Sequence, residues 1–163
     1  MFFPSAWALL LAAAVGASDS KTIDFNPDDY PRYTVGAALE TEACSADGIK
    51  DVLFSSQMRW QGASRKVSAR NAALITRWAA HVGDPEASAR YGEMRSLSDG
   101  RTVYWAVAPD GLIPYLEMDL RPGDKFIAYF VFIGCDRGRP LLAIEDYSEP
   151  EQYDAGDEQD VVI

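Results

Sequence analysis

The chain has 163 residues, of which 48% are hydrophobic, 25% charged and 12% aromatic. This composition excludes a wholly disordered chain, a collagen-like chain and a disulfide-dense scaffold, and the length suits one domain with a sizeable core. The net charge of −10 is mainly C-terminal, because eight acidic and no basic residues occur from Glu145 onward, leaving 17 acidic against 15 basic residues before it. With a pI of about 4.5, nucleic acid is not expected as a partner.

The first 17 residues are interpreted as a signal peptide. Ala6 to Val15 form an apolar run that is too short to span a bilayer comfortably, and Val15 and Ala17 lie where signal peptidase accepts short side chains. Cleavage after Ala17 would deliver a periplasmic or secreted protein with no stable membrane span. No Lys or Arg precedes the run, so an uncleaved anchor or a buried N-terminal helix is the alternative.

Cys44 and Cys135 are the two cysteines of the chain. In the oxidising compartment that export reaches, we expect them to form one disulfide, which closes a loop of about 90 residues and contributes at most about 4–5 kcal/mol. A pair of free buried thiols is the alternative. Two isolated cysteines do not make a zinc site, and neither a metal nor a cofactor is expected.

The segment before the main helix is predicted to be extended and then helical. Residues 18–34 form a polar, proline-containing lead-in, and residues 35–43 form a short helical turn that delivers Cys44. Residues 49–60 are assigned to a helix from the spacing of their apolar side chains, although the apolar run 52–54 is equally compatible with a strand.

The strongest helical signal follows Ser68, whose hydroxyl can cap the first turn. Gly83 is placed as the C-terminal cap, and Asp84 and Pro85 begin a second, short helix that ends near Gly92. The apolar face of the first helix is formed by four residues at helical spacing: Leu74, Ile75, Trp78 and Val82.

Beyond Gly92 the apolar period changes from 3.6 to 2, which is typical of strands. Four strands joined by short turns are predicted: residues 101–108, 112–119, 126–133 and 141–147. Because short turns join antiparallel neighbours, the predicted fold is α+β, a two-layer domain with N-terminal helices packed on a four-stranded antiparallel meander sheet. The alternative is a small, partly closed β-barrel with helices, which recruits a strand from residues 49–60. Pro114 places the second strand at an edge or at a bulge.

Residues 18–148 are interpreted as one α+β domain and residues 149–163 as an acidic, flexible tail. Six carboxylates in the tail repel one another. Few apolar side chains are available there to offset the cost of ordering the backbone.

The sequence contains no catalytic constellation. His81 is the one histidine, and its position at the end of the predicted helix has a structural explanation. No nucleophile-elbow, zinc-helix or phosphate-loop motif is present. Glu117 and Asp119 would share one face of the second predicted strand, which alternation explains as its solvated face. We therefore expect no enzymatic activity.

A stretch without acidic residues runs from Arg59 to Arg77 and contains five cationic side chains. Arginine suits carboxylates and phosphates, because its planar fork can bond two oxygens at once. The alternative is neutralisation inside the molecule, by the acidic tail or by nearby acidic pairs. The residues predicted to bind a partner are Arg65, Lys66, Arg70 and Arg77.

These observations predict a small exported, non-enzymatic interaction protein, such as an inhibitor, an immunity protein or an accessory protein. The expected partner is an anionic protein or an anionic envelope component. The alternative is a binder of a small apolar ligand held between the sheet and the helices, since the predicted strands are rich in aromatic side chains.

Overall fold

A computed structural model describes residues 25–41, 44 and 46–150. The predicted signal peptide and the tail from residue 151 onward lie outside the described residues. The α-helices described are α1 (Val35–Thr41), α2 (Ala69–His81) and α3 (Ile113–Asp119), with short 3-10 helices at Pro27–Asp29 and Pro85–Arg90. The strands described are β1 (Gly48–Lys66), β2 (Glu93–Ser98), β3 (Val103–Ala108), β4 (Lys125–Asp136) and β5 (Arg139–Ser148). None of the described helices is long and apolar enough to cross a membrane.

The described strands form a single mixed sheet of five, whose hydrogen-bonded neighbours follow one another in a ring, β1-β2-β3-β5-β4. Four of the pairings are antiparallel, and the pairing of β3 with β5 is parallel. The predicted α+β class is confirmed. The predicted sheet is wrong in its detail, because it has five strands and one parallel pairing, and because two helices interrupt the strand order instead of all preceding it.

Residues 49–60 belong to strand β1, so the predicted helix there is wrong and the strand alternative is correct. β1 pairs with β4 from Gly48 to Arg59. Its register shifts between Ile49 and Val52, and Asp51 has a φ of 53°. Such a bulge interrupts the alternation of buried and exposed side chains. The apolar spacing of the sequence therefore resembled that of a helix.

Residues 113–119 form helix α3, and the strand predicted over 112–119 is wrong. Pro114 occupies the first turn of the helix, where its missing N–H leaves no intrahelical hydrogen bond unmade. Ile113 and Leu116 are both buried, at the three-residue spacing of one helix face. Pro114 therefore begins a helix and does not mark an edge strand or a bulge.

Helix α2 confirms the predicted helix after Ser68. The Ser68 Oγ accepts a hydrogen bond from the Asn71 N–H at 3.2 Å, and Gly83 follows the helix with a φ of 79°. Val82 was predicted to be buried and is 42% exposed. Ala79 takes its place in the buried face, because Val82 is the C-cap and lies beyond the last helical turn.

Two apolar clusters lie on the two faces of the sheet. Inside the ring, the largest members are Phe54, Met58, Trp60, Phe126, Phe130 and Phe132. Helices α1 and α3 contribute Val35, Ala38, Ile113 and Leu116 to this interior cluster. On the outer face, α2 packs against the sheet through Leu74, Ile75, Trp78, Val131 and Ile133. Strand β4 therefore buries both faces, as its unbroken apolar run predicted, whereas β1 alternates exposed and buried residues from Gln57 to Trp60.

The predicted disulfide joins Cys44 to Cys135, with the Cα atoms 5.5 Å apart and a sequence separation of 91. It ties the segment that follows α1 to the end of β4. The alternative of two free thiols is therefore wrong.

Candidate anion-binding groove

A groove of about 450 Å³ lies where the end of β1, the start of α2, the first half of β3 and the start of β5 come together. The cationic side chains that line it are Arg65, Lys66, Arg70 and Arg139. Apolar and aromatic lining comes mainly from Leu39, Val103, Tyr104, Trp105 and Leu142. None of the described residues that line the groove is acidic.

Arg65 and Lys66 reach the groove because β1 extends to Lys66 along β2. In this ladder Arg65 lies opposite Met94, and Lys66 lies opposite Glu93. The Arg65 guanidinium is 4.1 Å from the centroid of the Trp105 ring, a distance at which a cation is attracted to the aromatic face. Arg65 and Lys66 are both exposed. Their charges therefore face solvent at the mouth of the groove.

Arg70 reaches the groove from the first turn of α2 and is held there by Asp136. The Arg70 Nε donates to the Asp136 Oδ2, and the Arg70 Nη2 donates to the Asp136 carbonyl oxygen at 2.9 Å. Asp136 is the last residue of β4 and does not line the groove. Arg70 is therefore paired within the molecule, but with a residue of β4 and not with the tail or the acidic pairs that the sequence analysis considers.

Arg77 lies outside the groove. It is seven residues beyond Arg70 on α2, which places it about 10 Å further along the helix axis at 1.5 Å per residue. A different cation, Arg139 at the first position of β5, lines the groove instead. The sequence stretch from 59 to 77 could not reveal Arg139, because Arg139 is distant in sequence and reaches the groove only through the pairing of β5 with β3 and β4. The partner-binding role of the predicted residues remains a prediction.

The floor of the groove is a gap between β3 and β5. Their parallel ladder consists of Ala106↔Leu142 and Val107↔Ala143. Before these pairs the two strands are not paired, and the groove is lined there by residues 103–105 of β3 and residues 139, 140 and 142 of β5. Val103 is 57% exposed as a result.

A second polar cluster lies between the 3-10 helix that ends at Arg90 and strand β5. The Tyr91 hydroxyl donates to the Glu145 Oε1 at 2.8 Å. Burial raises the pKa of Glu145, against the hydrogen bond from Tyr91 and the charge of Arg90, both of which lower it. Burial also raises the pKa of Tyr91, and the Glu145 carboxylate raises it further. The pair joins two chain segments and faces no groove that we identify among the described residues.

Glu117 and Asp119 were expected to share a solvated strand face, and that expectation is wrong. Both lie on helix α3, and each carboxylate has a protein partner. The Glu117 Oε1 accepts from the Arg95 Nη2 at 2.8 Å, and the Asp119 Oδ2 accepts from the Tyr147 hydroxyl at 2.6 Å. His81 is exposed at the end of α2. Within the described residues, no group of three or more candidate ligand side chains is placed to hold a metal ion.

The chain matches no protein-family model, no curated protein and no solved structure.

Proposed function

We propose that this protein is a small exported, non-enzymatic interaction protein that binds an anionic protein or envelope component in the basic groove. The supporting observation is that Arg65 and Lys66, at the end of β1, converge on one groove with Arg139, at the start of β5, whereas Arg70 is already paired with Asp136. Like charges brought together in a fold repel one another. An arriving anion relieves this repulsion, which gives the groove an affinity for carboxylate or phosphate groups.

The charge of the groove is opposite in sign to the net charge of the chain. The chain carries a net charge of −10, so a local concentration of cations distinguishes this surface from its surroundings. Such a surface steers an anionic partner toward one orientation and raises the association rate. Exposed charges are screened by salt, so binding weakens as the ionic strength rises.

Export is part of the proposal and rests on two features. The apolar run before Ala17 resembles a cleavable signal, and the Cys44–Cys135 disulfide is suited to an oxidising compartment. Intact-mass analysis of the protein recovered from its native cells should give a chain that begins at Ser18. Recovery of the uncleaved chain in the cytosol would contradict export.

The apolar-ligand alternative has less support. The interior of the ring is occupied by large side chains, among them Phe54 stacked on Phe130 with ring centroids 5.1 Å apart. The groove on the outside offers apolar contacts only beside several cations. An anion therefore suits it better than a neutral apolar molecule.

The test compares two double charge reversals that change the net charge equally. Arg65→Glu with Lys66→Glu alters the groove, whereas Arg77→Glu with Arg101→Glu alters exposed positions outside it. Binding of poly-L-glutamate is measured by calorimetry at low and at physiological salt, with folding verified by circular dichroism. We expect the groove variant to lose roughly tenfold or more in affinity, about 1.4 kcal/mol, and the control variant to lose much less. Equal losses in the two variants would show that net charge, and not the groove, governs binding.

A further inference from the structure

We propose that the groove receives an extended acidic segment of a partner protein, which adds to the sheet as a strand beside β3. This inference rests on the proposed function and deepens it by naming the form of the anionic partner. It starts from the backbone at the edge of β3 that the gap leaves uncovered.

The first half of β3 offers backbone groups to the groove. The β2–β3 ladder is regular from Ser98↔Val103 to Glu93↔Ala108, and the Asp99 N–H donates to the Thr102 carbonyl oxygen at 3.3 Å. Hydrogen-bonded and non-hydrogen-bonded pairs alternate in an antiparallel ladder. The N–H and C=O groups of Val103 consequently point away from β2, toward the groove.

Strand β5 does not cover this edge. Its first residues stay with β4, in the pairs Asp136↔Arg139 and Cys135↔Pro140. Pro140 has no N–H to donate. The β3–β5 ladder begins only at Ala106↔Leu142. Val103 therefore has no β5 residue opposite it, and an exposed strand edge of this kind is a template for another extended chain.

The side chains around the edge select an acidic segment. Arg65 and Lys66 stand at the end of β1 and Arg139 at the start of β5, on either side of the groove. In an added strand, every second side chain faces the same way, about 6–7 Å apart. Carboxylates at alternate positions can meet these cations, while the positions between them can meet Leu39 or Leu142 in the lining. The recognised chemistry is therefore an alternation of acidic and β-branched apolar residues.

The experiment uses the full chain and an acetylated, amidated five-residue peptide of alternating Glu and Val. A matched peptide carries N-methyl groups on all five of its backbone nitrogens, so that it keeps its charge and loses the donors on both of its edges. We expect the unmodified peptide to bind about tenfold more tightly, which corresponds to one or two lost hydrogen bonds. We also expect it to slow hydrogen exchange at the Val103 amide. Equal binding of the two peptides would overturn strand addition.

A substitution at the edge of β3 tests the same hydrogen bonds by changing the protein instead of the peptide. Val103→Pro removes the N–H that faces the groove, at the first position of a strand where proline is tolerated. We expect it to lose affinity for the unmodified peptide about tenfold and to keep its affinity for poly-L-glutamate. If this variant does not fold, the comparison of the two peptides decides the question. If poly-L-glutamate binds and neither peptide does, strand addition is wrong while the proposed function stands. If nothing anionic binds, the proposed function itself fails.

Two other occupants of the edge would also overturn the proposal. In a full-length variant, Asp157→Asn, Glu158→Gln and Asp160→Asn remove carboxylates from the C-terminal segment. Peptide binding that appears only in this variant would assign the edge to the chain's own C-terminal segment. A dimer in sedimentation analysis that the peptide dissociates would assign it to a second copy of the chain. We expect neither result.

Discussion

At the scale of single residues, Arg95 is the one charged residue that is buried among the described residues. Its side chain is 3% exposed and lies on the same face of β2 as Leu97, which belongs to the cluster inside the ring. The Arg95 Nη1 donates to Glu93 at 2.6 Å, and the Arg95 Nη2 donates to Glu117 at 2.8 Å. The Arg95 Nε is buried without a protein hydrogen-bond partner among the described residues. A buried arginine within an apolar alternation also explains why β2 escaped prediction.

Because burying a charge costs about as much as its ion pairs return, the volume of Arg95 should matter more than its charge. We expect Arg95→Met to change the free energy of unfolding by about 1 kcal/mol or less, and Arg95→Ala to lower it by roughly 3 kcal/mol through the cavity that it leaves. Urea unfolding measures both. Equal destabilisation by the two substitutions would mean that the bonds to Glu93 and Glu117 hold β2 in place.

Glu145 makes the stability of the protein depend on pH. Folding raises its pKa above the ordinary value of 4.5, chiefly by burial, with Asp51 and Asp146 adding to the rise and with Tyr91 and Arg90 opposing it. The folded state therefore binds the proton more tightly than the unfolded state. The stabilising effect is complete below about pH 4.5 and is lost as the pH rises through the higher, folded-state pKa.

Glu145→Gln should remove this pH dependence, because an amide of the same shape can still accept from the Tyr91 hydroxyl. We expect the variant to gain stability relative to the parent as the pH rises from 4 to 8, by about 1.4 kcal/mol for each unit by which folding raises the pKa. Thermal unfolding of both proteins across this pH range is the measurement. A stability difference that stays constant with pH would exclude Glu145 as the titrating group.

At the scale of elements, the junction of β1 and β4 depends on one glycine. Gly134 has a φ of 155° and lies so close to β1 that a Cβ there would overlap the Gly48 carbonyl oxygen. It precedes Cys135, so the same close approach helps to bring the disulfide partners to 5.5 Å between Cα atoms. A side chain at this position would force apart β1 and β4, which are paired from Gly48 to Arg59.

Gly134→Ala should therefore destabilise the protein by more than about 2 kcal/mol, since both strain and overlap with backbone oppose it. The matched control is Gly111→Ala, at a glycine without a positive φ and with no atom within 4 Å of an added Cβ. Urea unfolding of the oxidised proteins compares them. The explanation fails if the two alanine variants are equally stable.

At the scale of the whole molecule, β5 separates surfaces of opposite charge. Arg139, at its start, lines the basic groove. Asp146, near the end of β5, lines a shallow, open cavity of about 460 Å³ together with Asp119 and Glu149. The seven residue-to-residue steps from Arg139 to Asp146 span roughly 23 Å in an extended strand. The surface is therefore basic near the start of β5 and acidic near its end. The chain continues into residues 151–163 from the acidic end.

Removing residues 151–163 should strengthen the binding of polyanions without weakening the fold. The deletion removes five carboxylates and changes the net charge from −10 to −5, which reduces long-range repulsion. We expect the affinity for poly-L-glutamate to rise several-fold at low salt and very little at high salt, with a nearly unchanged melting temperature. Calorimetric titration and thermal unfolding test this. A large fall in melting temperature would show that the segment is a structural element.

Several features of this protein were determined by local sequence alone. Helix α2 follows from its serine cap, its apolar spacing and Gly83, all within one short segment. Strand β4 follows from an apolar run that only a doubly buried strand of that length explains. The pairing of Cys44 with Cys135 follows because the chain has no third cysteine. For α2 and β4, the interactions that select the structure act between residues close in sequence. For the disulfide, the composition allows only one pairing.

Tertiary structure decided the rest. The bulge at Asp51 makes β1 a strand where the spacing indicates a helix, because pairing with β4 outweighs the local pattern. Pro114 begins a helix because a helix allows Ile113 and Leu116 to pack into the cluster inside the ring. The groove exists because β5 pairs with β4 before it reaches β3, which leaves Arg139 lining the same groove as Arg65 and Lys66. These contacts join residues far apart in the chain, and no local period or cap records them.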